Sequence, residues 1–232
     1  MKNIGSRFRH SLRALSVTAL AFTCASAATT ATASVIYDNN AVPTTGGYSD
    51  SDRFGGIYGA HTFTLLPGAN TITGFIWSGF YDAGTLPPSD QFTIEIYADS
   101  GGVPDLAPLH TFAVGNAVNR TDLGMSLNGR PNQGYSASIA PLTLTPGNVY
   151  WLSIFNNSGP GLADDWAWAM QNVGGTAAYR FGATSAWSNS TARQDFQIIG
   201  TPVPEPTSML LLGSGVATLW ISRRRAQGRA RQ

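Results

Sequence analysis

The chain is expected to be all-β, a two-sheet antiparallel sandwich of jelly-roll type, held between two membrane-directed ends. Three observations carry that expectation. Short runs rich in Thr, Ile, Val and aromatic residues recur through the middle of the chain. Turn formers separate them, at Pro67-Gly68, Pro87-Pro88, Gly101-Gly102 and Pro146-Gly147. No segment between them keeps a helical period long enough to form a crossover, so strands must pack on strands.

Taken in order, the first 33 residues read as a secretory signal peptide. Lys2, Arg7, Arg9 and Arg13 precede an uncharged run, and small residues end in Ala31-Thr32-Ala33. Cleavage is placed after Ala33, with Ala25-Ser26-Ala27 as the second choice. Cys24, the one cysteine, lies in the removed segment behind Ala21-Phe22-Thr23, a poor lipid-attachment box. The mature body then has no disulfide, thiolate nucleophile or cysteine metal ligand.

The body, residues 34–202, is long enough for one core. Strands are expected at 35–37, 61–66, 70–80, 91–98, 109–114, 135–139, 149–156, 165–170, 178–181 and 196–199. Within 92–97, Phe92, Ile94 and Ile96 share one face and Thr93, Glu95 and Tyr97 the other; the even face is assigned to the core and Glu95 to solvent. The whole chain carries a formal +1, but residues 34–204 hold five arginines, no lysine and twelve acids, a net −7. That acidic surface disfavours nucleic acid.

Chemistry is sparse. His61 and His110, the two histidines of the body, have no second ligand at i+2 or i+4 and read as satisfied strand residues. No nucleophile elbow, zinc-protease helix, phosphate loop or dinucleotide fingerprint occurs. Asp50-Ser51-Asp52, Asp82, Asp99 to Asp105 and Asp164-Asp165 fall in loops without the spacing of a calcium loop. No cofactor is expected, calcium being the alternative, and the body is expected not to be an enzyme. The rival is a glycan-active enzyme using loop carboxylates. The ligand candidate is Asp164, Asp165, Trp166 and Trp168. Period-two spacing puts both rings on one strand face beside the two acids, beside Asn156-Asn157-Ser158-Gly159-Pro160-Gly161, an arrangement suited to an exopolysaccharide. The bland reading is that these tryptophans fill the core.

The last thirty residues carry an address. Val203-Pro204-Glu205-Pro206 precedes an uncharged run over 208–222, which as a helix covers about 22 Å, short of a hydrocarbon core of about 30 Å. Arg223, Arg224 and Arg225 follow, and under the positive-inside rule they stop transfer and leave the body outside. A helix without a polar face has no side to give to water. Pro-Glu-Pro, apolar helix and basic terminus in that order resemble the PEP-CTERM sorting signal of exported proteins of Gram-negative bacteria. The resemblance implies a transmembrane helix at 208–222 that anchors the protein in the inner membrane, then processing by an exosortase near the Pro-Glu-Pro and release to the cell surface or extracellular matrix. Its partners would be that exosortase and the secretion machinery. A second resemblance is carried by residues 90–104, Tyr150-Trp151-Leu152-Ser153-Ile154 and Trp166-Ala167-Trp168. These are similar to a sandwich module of bacterial exported proteins and imply the fold alone.

Overall fold

A computed structural model describes residues 32–39, 56–68, 71–82, 86–157, 165–171 and 174–201. The described residues form strands and turns, with no helix among them. The strands are β1 (Ser34–Asp38), β2 (Ile57–Thr64), β3 (Thr71–Tyr81), β4 (Phe92–Ala98), β5 (His110–Gly115), β6 (Asn119–Leu127) and β7 (Arg130–Thr143). They continue with β8 (Val149–Asn156), β9 (Trp166–Trp168), β10 (Met170–Gln171), β11 (Ala177–Phe181), β12 (Ser188–Ser190), β13 (Arg193–Gln194) and β14 (Phe196–Thr201). The first sheet runs β1-β14-β3-β7-β6, with β9 paired to the far end of β3. The second runs β12-β11-β2-β8-β4-β5, and β10 and β13 make a two-stranded ribbon. Every pairing among the described strands is antiparallel, which needs no crossover helices.

The interior faces of both sheets meet in one apolar cluster. Phe75, Trp77, Tyr135, Trp166, Trp168 and Phe196 come from the first sheet, and Phe63, Phe92, Ile94, Ile96, Leu152 and Ile154 from the second. Phe92, Ile94 and Ile96 are fully buried, as their alternation predicts. The opposite face differs from expectation. Tyr97 is also fully buried, within a second cluster with Tyr58, Trp151, Phe155 and Trp187 that covers the outside of the second sheet. Glu95 is therefore half-buried rather than solvated, and it accepts a short hydrogen bond from the Tyr97 hydroxyl.

Two local features explain where strands lie. Asn128 and Gly129 both take positive φ, 51° and 74°, between Leu127 and Arg130, which pair with each other. That is the two-residue left-handed turn favoured in hairpins, and it creates β6, a strand absent from the expected set. At Gly79 a Cβ would sit 2.6 Å from the Ala167 carbonyl oxygen and inside the Trp166 indole, so only glycine lets β9 and the indole close over β3.

Candidate functional site

Trp166 and Trp168 lie on one face, as their spacing requires, but that face is the interior. Both are 0% exposed and pack in the main core, Trp166 edge-on to Phe92 at 5.0 Å between ring centres and Trp168 against Phe196 at 5.9 Å. The Trp168 indole donates to the Asp195 carbonyl at 2.9 Å. Neither ring offers a face to a ligand, which corrects the expected ring platform: β9 adds to the end of β3, and antiparallel pairing turns both indoles inward. The Asp165 carbonyl accepts from the Asp82 amide at 2.9 Å, while Asp164 lies outside the described residues.

Beside Trp166, one end of the sandwich is polar inside. Asp90, almost fully buried, accepts from the Tyr81 hydroxyl and from Arg120 Nη1 at 3.3 Å, and Asn156 Nδ2 donates to the Tyr81 oxygen at 2.8 Å. The cluster ties β3 of the first sheet to β8 of the second. Burial drives the Tyr81 and Tyr135 phenols far upward, so both are neutral donors at any physiological pH. Trp166 and Tyr81 stand close enough to the Tyr135 hydroxyl to oppose that rise, yet neither completes a hydrogen bond with it. Asp90 thus accepts from a cation and a phenol at once, which fixes its side chain in place.

Arg180 forms a second buried knot. It is 4% exposed, with its guanidinium carbon 4.4 Å above the Trp187 ring, 5.1 Å from Tyr58 and 5.6 Å from Tyr97. It donates to the Tyr97 hydroxyl at 3.0 Å and the Leu106 carbonyl at 3.4 Å, so the charge is met by ring faces and oxygens and pins the covering loop to the sheet.

His61 is a core residue. Nδ1 donates to the Thr62 carbonyl at 2.8 Å, and Asn39 Nδ2 lies 3.3 Å from Nε2. Burial, which outweighs the Thr62 bond, with Arg193 adding to it, holds its pKa down at about 4. Among the described residues no three of His, Cys, Asp and Glu converge to hold a metal ion. Asp50 and Asp52 lie outside them.

An open feature, missed in the sequence, lies at the edge of the second sheet. Tyr179 and Phe181 on β11 are 37% and 63% exposed, the two exposed aromatic residues among those described. Their rings meet edge to face at 5.7 Å. They line a cleft of about 240 Å³ with Ile57, Met170, Ser190 and Gln194, where the β10–β13 ribbon replaces the first sheet. The alternation Tyr179-Arg180-Phe181 was the available signal, with one face taking the aromatics and the other the arginine.

The first and last described strands lie side by side. Ser34, first residue of β1, pairs with Gly200, and β14 ends at Thr201. Residues 202–225 match the PEP-CTERM protein-sorting motif. The tail is a PEP-CTERM sorting signal. It implies an exported protein processed by an exosortase and anchored in the membrane before that processing. Val203, Pro204, Glu205, Pro206, Arg223, Arg224 and Arg225 all fall within the match and outside the described residues, as does the expected helix at 208–222. No curated protein matches the chain.

Proposed function

We propose that the protein is a non-catalytic surface or matrix module, presented by PEP-CTERM sorting. The observation that carries this is the position of the motif, which begins at residue 202, directly after the last residue of β14. Pro204 follows the last residue of that strand by three positions in the chain. The body is thus held against the enzyme that reads the tail, and cutting near the motif frees an already closed sandwich with little chain left over. The interior supports a structural role. Its buried charges, Asp90 paired with the part-exposed Arg120, and Arg180 among three rings, are spent on holding sheets and loops together.

The test is expression of the full chain with and without an exosortase. With it, the tail is lost and the body leaves the membrane fraction; without it, the full-length form stays membrane-bound. Equal processing in both hosts overturns the reading.

A further inference from the structure

We propose that the edge cleft of Tyr179 and Phe181 binds a neutral sugar ring of an extended glycan. The inference goes beyond the sorting reading and stands or falls separately from it. Three features of the cleft converge on that ligand.

The first is an aromatic platform that the fold leaves open. Tyr179 pairs with Gly59 on one side and Ser188 on the other, so neighbours on its face are a glycine and a serine and the ring stands clear. Phe181 pairs with Ile57, which continues the apolar floor. Rings in this position cost solvation and gain no core contact, whereas the C–H face of a pyranose would cover them.

The second is polar demand at the floor and rim. Gln194 is 2% exposed, and its Oε1 has no hydrogen-bond partner, an acceptor without a donor in a place where an unmet group is costly. Ser190 Oγ accepts from the Ala192 amide and keeps its own proton to donate. A sugar hydroxyl, donor and acceptor at once, accepts from Ser190 at the rim, and a turn of the Gln194 side chain toward the cleft would bring its amide oxygen to the same hydroxyl.

The third is charge and size. Among the described residues no charged one lines the cleft, and the body carries a net −7, so an acidic polymer meets no described cation there and is repelled by the body as a whole. About 240 Å³ is below the roughly 300–1,000 Å³ of clefts that take drug-sized ligands, which suits one ring of a chain passing across the edge. A second copy of this chain would need about 800 Å² of buried surface per partner, far more than this cleft offers.

The experiment titrates the full chain, in detergent, with laminarihexaose and cellohexaose as neutral probes and an alginate hexamer as the acidic one, followed by saturation-transfer NMR and calorimetry. At least one neutral probe is expected to bind. Phe181→Ala and Tyr179→Ala should each weaken it roughly tenfold or more, as loss of one stacking ring does. Leu66→Ala, an exposed apolar residue beyond the other end of β2, should leave it unchanged. Both aromatic sites are exposed, and an unaltered melting transition confirms that the variants fold. Absence of binding to both neutral probes, equal binding by Phe181→Ala, or preference for alginate overturns the proposal. So does self-association lost in Phe181→Ala without any glycan binding.

Discussion

His61→Gln should flatten the acid limb of the stability curve. In the folded protein the neutral imidazole donates through Nδ1 to the Thr62 carbonyl and faces the Asn39 amide with Nε2. Asn39 Nδ2 also donates to the Gln194 carbonyl at 2.8 Å, and Arg193 Nε is fixed on Asn39 Oδ1 at 3.1 Å. A proton on Nε2 would therefore point a donor at a donor, in a buried site with a guanidinium close by. Because the folded pKa is lowered from 6.5 to about 4, the native state binds this proton less well than the unfolded chain. Stability from His61 is fully present above pH 6.5 and is lost as pH falls toward 4. At about 1.36 kcal/mol per decade, the loss reaches about 3 kcal/mol. Asp195 works in the opposite direction: burial raises its pKa against the 2.5 Å bond from Ser78, so its contribution improves as it is protonated. The difference between wild type and His61→Gln removes that shared term. Urea denaturation at half-unit steps from pH 7.5 to 4 is the assay. The two proteins should converge as pH falls, and curves that stay parallel over the whole range would refute the assignment of His61 as a buried neutral residue.

Other consequences concern packing and processing. Trp166→Ala should lower stability by about 3–5 kcal/mol, read as a drop in denaturation midpoint, because it empties a fully buried site. A variant of near-normal stability would restore the ring-platform idea. Gly79→Ala should cost about 1–3 kcal/mol by forcing β9 and the Trp166 indole away from β3, visible in a lowered melting transition. Arg180→Lys should lose about 2 kcal/mol and expose the loop at 99–109 to hydrogen exchange, since an ammonium cannot span three rings and two oxygens at once. Sequencing of the exported form should begin at Ser34.

Much of the sandwich was legible because its central strands obey period two. The run at 149–156 appears as β8 with the same bounds, and Phe92, Ile94 and Ile96 fill the core as their alternation requires. β6 was illegible in that pattern, since only Leu127 of its nine residues is buried. The Asn128-Gly129 pair was the signal left unused. Spacing gave the shared face of Trp166 and Trp168 but could not say which side of a sheet that face meets. The outer cover of the second sheet, from Trp187 and the 99–109 loop, depends on contacts across 52 and 82 residues, Trp151 to Asp99 and Trp187 to Asp105. No local pattern encodes these. The edge cleft escaped for a related reason: alternation puts Tyr179 and Phe181 on one face, and only the register shows that Tyr179 is flanked there by Gly59 and Ser188 rather than by bulky side chains.

The sorting claim is tested most directly at Glu205. The acid lies between Pro204 and Pro206, whose fixed φ favours an extended backbone that a protease-like cleft can read, while the apolar run is read by the bilayer. Pulse-chase labelling in a host with an exosortase should show Glu205→Ala inserted but retained at full length in the membrane fraction while the wild type is processed. If Glu205→Ala is instead cut and released at the wild-type rate, the tail acts only as a membrane anchor and sorting through the Pro-Glu-Pro is contradicted.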